Sequence, residues 1–300
     1  MILNDFLEVI SNGGYYLPSE FDVLLNPERN ALLYSIVPKL LKERQYWNIL
    51  EVGSRGGGSA LMWIEMIRRF NNGHGHLTCV DIADRAPGKE MKAYRHIFEY
   101  NVSKANAWDM VTTIYGDSRS ALPLLQGNIY NLVYIDGSHK CSMCLSDLAM
   151  AKILVRVDGF ILGDDLCFQM SDPGVNAEEI EKNAEYEGWP PIEGNKHPGV
   201  ALALHQAFNG ADMKPLETLW GIDGMCFRPL DLRGIGADLL LPIPEYFPEW
   251  AVRIAQNRIK YIDWNSHKSA ACGANDKYGE VIISHDPYPP IALQKPPSPQ

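Results

Sequence analysis

The chain has 300 residues, 46% hydrophobic and 21% charged, enough to bury a core in one enlarged domain or two small ones. A formal net charge of −10 argues against a binder of phosphate backbones, which needs a basic surface. The N-terminus, MILNDFLEVI, lacks a basic n-region and a small-residue cleavage site. Apolar runs such as Ala31–Val37 are far shorter than the ~20 residues of a membrane span. Six cysteines in so long a chain do not make a disulfide scaffold, which points to a reducing, cytoplasmic setting.

Residues 1–46 read as mainly helical. Asn26-Pro27-Glu28 marks a helix start with proline at the first helical position, and Leu32, Leu33, Ile36, Val37 and Leu40 follow at helical spacing. From Trp47 short apolar runs alternate with helical stretches. Strands are predicted at Asn48–Val52, Leu77–Asp81, Val111–Tyr115, Leu132–Asp136 and Gly159–Gly163. Ser59–Phe70, Lys89–Asn101 and Ser142–Leu154 are amphipathic crossover helices. Beyond Asp165 the regularity lapses. Asp172-Pro173-Gly174 and Trp189-Pro190-Pro191 are turn signals within 166–196. A helix is expected over Gly199–Phe208, and a final hairpin over Thr218–Arg228 with its turn near Ile222–Gly224. Pro248–Trp264 reads as a further helix, and Pro287–Gln300 as a proline-rich tail. The fold class is α/β: a Rossmann-like, doubly wound, mostly parallel seven-stranded sheet with helices on both faces and a final antiparallel hairpin. The expected divisions are a helical segment at 1–46, the sheet domain at 47–230, a partly helical extension at 231–286 and the tail at 287–300. Tyr15, Tyr16 and the 166–196 loop are candidates for a lid.

The first strand runs into Glu51-Val52-Gly53-Ser54-Arg55-Gly56-Gly57-Gly58-Ser59. Glycines between a strand and a helix let the backbone approach a ligand, and the helix N-terminus offers free N–H groups. Dinucleotide spacing fails from either Gly53 or Gly56, and no Gly-Lys-Ser/Thr closes a phosphate loop. The remaining pattern, E-x-G-x-x-x-G-x-S, resembles motif I of the class I methyltransferases, where the turn holds the methionine part of S-adenosylmethionine. Asp81 ends the second strand, where a carboxylate can accept both ribose hydroxyls. Gly116-Asp117-Ser118 follows the third, where this superfamily contacts adenine. The resemblance thus implies a cofactor set of Glu51, Gly53, Ser54, Gly56, Gly58, Ser59, Asp81, Asp117, Ser118 and Asp136.

Asp136 ends the fourth strand, and Asp164-Asp165 follow the fifth. In the methyltransferase sheet order these strands are neighbours, so the three acids converge. Converging carboxylates need a cation, and a hard divalent ion such as Mg²⁺ suits an all-oxygen set. The segments Y-I-D-G-S-H and D-G-F-I-L-G-D-D resemble the metal-dependent O-methyltransferases, most closely the group acting on macrolide sugars and more distantly the catechol type. That resemblance spans about residues 47–230. It implies Mg²⁺ on Asp136, Asp164 and Asp165, and His139 as the general base. Some relatives carry Glu where Asp164 stands.

The function expected is Mg²⁺-dependent transfer of a methyl from S-adenosylmethionine to a hydroxyl of a small acceptor, such as a sugar of a glycoside, natural product or polysaccharide. Neither nucleic acid nor membrane is an expected partner, and homo-oligomer formation is left open. His197, in Lys196-His197-Pro198-Gly199-Val200, resembles a substrate-side segment of the sugar methyltransferases. Cys141 and Cys144 lie at helical spacing and read as packing residues, since Cys167, Cys226 and Cys272 supply no second C-x-x-C pair for zinc. His74 and His76 are assigned no role. Three rivals remain. One is a cephalosporin-hydroxylase-like protein, against which no two-histidine, one-carboxylate set is visible in the sequence. The others are a non-catalytic cofactor-binding partner subunit and a nicotinamide oxidoreductase.

Overall fold

The computed structural model describes residues 27–82, 95, 98–99, 101–103, 105–186 and 197–236. Tyr15, Tyr16, the helix expected at Pro248–Trp264, the proline-rich tail and the 187–196 part of the 166–196 loop lie outside these residues. So does most of the helix expected over Lys89–Asn101, of which Arg95, Phe98, Glu99 and Asn101 are helical.

Helix α1 (Pro27–Leu41) starts at the proline, as its fixed φ and missing N–H favour. Its Leu32, Leu33, Ile36, Val37 and Leu41 are buried. The Trp47 indole donates to the Leu41 carbonyl oxygen at 3.2 Å, tying the helix end to the first strand. The elements that follow are β1 (Trp47–Val52), α2 (Gly58–Phe70), β2 (Gly75–Asp81), β3 (Val111–Tyr115), α3 (Ser118–Ala121), β4 (Tyr130–Ile135), α4 (Cys141–Leu154), β5 (Val155–Gly163), α5 (Ala177–Asn183), α6 (Pro198–Ala207), β6 (Trp220–Asp223), β7 (Arg228–Pro229) and α7 (Leu232–Gly236).

The seven strands form one sheet in the order β3-β2-β1-β4-β5-β6-β7. β1 to β5 are parallel, and β6 and β7 join antiparallel. One apolar cluster gathers α1, α2 and the residues around Phe98–Met110 on one side, and a second gathers α4 and α6. A parallel sheet needs this cover on both faces, which is why its central strands are continuous apolar runs. The strand order reverses between β1 and β4, so a crevice opens at their carboxyl ends, where ligands bind in such sheets.

The predicted strands and main helices form with small shifts at their ends. β5 begins at Val155, directly after α4, because Tyr130 pairs with Val155 across a register shift. The stretch after Asp165 is less irregular than expected: α5 forms there, with the Asn176 side chain accepting from Glu179 N at 3.3 Å as its cap. The hairpin turn falls at Gly224–Phe227 rather than 222–224, because Asp223 Oδ1 accepts from Met225 N and Cys226 N. Cys141 and Cys144 are buried in the second cluster. No helix among the described residues is long and apolar enough to cross a membrane.

Candidate active site

The glycine turn is built against the end of β4. Gly53 has φ +94°, and a Cβ there would lie 2.1 Å from the Asp136 carbonyl oxygen. Only glycine permits both the backbone angle and the approach. Gly57, which caps α2, has φ +88° and faces the Phe98 ring. Gly53 N donates to Val80 O, and the buried Asn101 amide donates to Gly56 O at 2.7 Å. Asp81 Oδ2 accepts from Arg55 N at 2.8 Å, so this carboxylate stands beside the turn as expected.

Glu51 is fully buried and accepts from Trp63 Nε1 at 2.9 Å and Cys79 Sγ at 3.6 Å. Burial pushes its pKa up. It braces the turn from beneath. Ser54, Gly56, Gly58 and Ser59 are likewise buried at the turn. Asp117 caps α3, accepting from Arg119 N at 3.0 Å and from the Arg119 guanidinium. Ser118 bonds Asp147, a buried acid of α4 whose pKa burial raises to about 6.

The three aspartates do converge, but they divide into two groups. Arg29 of α1 reaches between the first two: its Nη1 donates to Asp136 Oδ2 at 3.1 Å and to Asp164 Oδ2 at 2.8 Å. Asp164 is held further by its own Oδ1, which accepts from Asp165 N at 2.8 Å and from the Thr218 hydroxyl. The Trp220 indole donates to the Asp164 carbonyl at 2.9 Å. Asp165 turns the other way. Its Oδ2 lies 3.0 Å from His139 Nε2 and its Oδ1 3.6 Å from His197 Nε2. The two imidazole rings are 3.9 Å apart between centroids. His197 is 5% exposed, so it is a buried neighbour of His139 rather than a solvated loop residue.

The charges follow from this division. Burial drives Asp136 up to about 8, against the pull of Arg29 and with the push of Asp165 and Asp164. Asp165 goes the opposite way. Burial would raise it, but the hydrogen bond and charge of His139, with His197 and Arg29, bring it to about 2. Burial works against the Arg29 charge, and Tyr134, Asp136 and Asp164 nevertheless hold it well above its ordinary value.

This arrangement bears on two sequence expectations and corrects the second. Of the oxygen donors expected to hold Mg²⁺, Asp136 and Asp164 are bonded by a guanidinium and Asp165 faces two imidazoles. The fold also assembles a two-histidine, one-carboxylate group, His139, His197 and Asp165, that no local pattern in the sequence announces.

Residues 50–166 match the family model described as a methyltransferase domain. This stretch is similar to a methyltransferase domain. It runs from β1 to the residue after Asp165, so it carries the glycine turn, Asp81, Asp117, His139 and all three aspartates. Arg29 and His197 reach the site from outside the matched stretch. No curated protein matches the chain. Similar solved structures include an O-methyltransferase of Bacillus cereus in complex with SAH, at 19% identity and TM-score 0.43, covering 68% of this chain and 77% of that one. The O-methyltransferase TomG of Streptomyces achromogenes, in complex with SAM, is 16% identical with TM-score 0.41, covering 65% and 82%. A cofactor-bound protein from MTB is 15% identical with TM-score 0.44, covering 69% and 78%.

Proposed function

We propose that the methyltransferase domain moves the methyl group of S-adenosylmethionine to a hydroxyl of a small acceptor, such as a sugar of a glycoside, natural product or polysaccharide. The observation that carries this reading is the placement, within the matched stretch, of the Gly53 turn with Asp81 beside it and the His139–Asp165 pair one strand away. Ser54, Gly56, Gly58 and the α2 N-terminus hold the methionine part. Asp81 takes the ribose hydroxyls, and Asp117 and Ser118 border the adenine. Glu51 and Ser59 act through the shape of the turn, and Asp136 acts through its carbonyl behind Gly53.

Bound S-adenosylmethionine would supply an electrophilic methyl for in-line attack by the acceptor oxygen, with the C–O bond forming as the C–S bond breaks and the electron pair leaving on sulfur. His139 takes the hydroxyl proton. Asp165, 3.0 Å from its Nε2, fixes the ring. Arg29 provides a positive charge beside Asp136 and Asp164. A cytoplasmic setting and a small hydroxylated partner accord with this reading. Titration calorimetry of the full chain tests it: S-adenosylmethionine should bind, and binding of NAD(H) alone would overturn it. Labelled methyl transfer to sugars and phenols, lost in His139→Ala with cofactor binding kept, separates the enzyme from a non-catalytic partner subunit.

A further inference from the structure

We propose that His139, Asp165 and His197 form a binding site for one transition-metal ion of the zinc, cobalt(II) or iron(II) class. The ligand atoms of these three side chains lie within 4.8 Å of one another. Metal–nitrogen and metal–oxygen bonds of about 2.0–2.2 Å at ordinary coordination angles set neighbouring ligand atoms about 3.0–3.6 Å apart. His139 Nε2 and Asp165 Oδ2 are at 3.0 Å, and His197 Nε2 and Asp165 Oδ1 at 3.6 Å. The site is therefore near the spacing an ion requires.

Three separate pieces of chain build it: the loop after β4, the loop after β5 and the residue before α6. Two local features hold those pieces together. A Cβ at Gly199 would lie 2.2 Å from the His139 carbonyl oxygen, so a glycine is required for α6 to bring His197 this close. Asp165 has φ +66°, a left-handed conformation that few side chains adopt, and this turns its carboxylate toward the two rings.

The donor types decide the class of ion. Two imidazoles and one carboxylate suit borderline transition metals, whereas Mg²⁺ demands oxygen. Arg29 occupies the oxygen-only alternative at Asp136 and Asp164. Three protein ligands leave coordination positions open, and a cavity lined by Asp136, Ser138, His139, Asp165 and Trp220 adjoins them. His139 Nε2 is spent on the ion in the loaded state. Metal loading and the His139–Asp165 pairing of the methyl-transfer reading thus exclude each other, and the metal site stands without that reading.

Cobalt(II) titration of the chelator-treated full chain, followed by visible absorption and calorimetry without cofactor, tests the site. One equivalent should bind, Zn²⁺ should displace it, and millimolar Mg²⁺ should not. Asp165→Asn, which keeps the shape of the side chain, and His197→Ala should each weaken binding more than the ~10–100-fold expected for losing an outer partner of a ligand. Circular dichroism establishes that each variant is folded. Absence of binding to the wild type, or binding retained in folded Asp165→Asn, would overturn the proposal, while methyl transfer by the metal-free wild type is read separately.

Discussion

Arg29 shows how much one side chain can settle. Its guanidinium bonds two aspartates that lie 107 and 135 positions away in the chain. With side-chain exposures of 14% for Arg29 and 4% for Asp164, removing the cation strands the buried Asp164 carboxylate. Arg29→Ala should lose about 3–5 kcal/mol of stability, read as a lower urea midpoint. It should also bind Mg²⁺ more tightly than the wild type by calorimetry; equal Mg²⁺ affinity in both would show that Arg29 does not hold that position. Asp147 offers a second test. Its folded pKa of about 6 stands above the ordinary 3.8 because burial disfavours the charge. The folded state therefore holds this proton more tightly than the unfolded one. The acid stabilises most below about pH 4, and its contribution falls as pH rises to about 6. Asp147→Asn, free of that charge, should be more stable than wild type by roughly 2–3 kcal/mol at pH 7. The advantage should vanish below pH 4 in denaturation curves. The residues that the sequence revealed, Gly53, Asp81 and Asp136, sit at strand ends where local pattern fixes their place. Arg29 was not legible, because nothing near it in sequence distinguishes an arginine reaching a distant strand end from one facing water.

Among the elements, α6 is the one whose position was half readable. The Pro198-Gly199 start marked the helix, but not that its first turn packs on the His139 loop. The limit is physical. Periodicity reports which face of a helix is apolar and not which loop that face will meet. Gly199→Ala should push α6 off the His139 carbonyl and part His197 from Asp165. The expected outcome is a loss of about 2–4 kcal/mol in stability, as overpacking and backbone shift would produce. A distinct sign is the loss of the His139–His197 ring contact, seen as changed imidazole resonances in NMR. α5 was missed for a related reason. Only its Ile180 is buried, so its hydrophobic signal is one residue deep, although the Asn176 cap and Glu178–Glu179 stood in the sequence as a helix start.

At the scale of the molecule, the stretch that matches the family model is less than a complete site. The sequence separated a helical segment at 1–46 from the sheet domain at 47–230. In the fold, Leu32, Leu33, Ile36 and Val37 of that segment join the same apolar cluster as Trp47, Trp63 and Leu132. A fragment beginning at Trp47 would expose this face and lose Arg29. It should therefore fail to unfold cooperatively, and should bind a hydrophobic dye that the full chain does not. A cooperative, dye-silent fragment would show that α1 is dispensable. The sheet order and both helical layers were legible because alternating βαβ units admit few arrangements. The contacts that close the site come from both ends of the described chain, where no such rule operates.

The antiparallel strand β6 has one more consequence. Its Trp220 lays its ring against Gly163, where even a Cβ would come within 2.1 Å of the indole. The same indole hydrogen-bonds the carbonyl of Asp164. The chain thus carries a fluorophore wired to the residue between its two charged groups. The difference between the emission spectra of wild type and Trp220→Phe isolates that signal from the other tryptophans. Cofactor, acceptor or metal arriving at the strand ends can then be timed in solution, without a label.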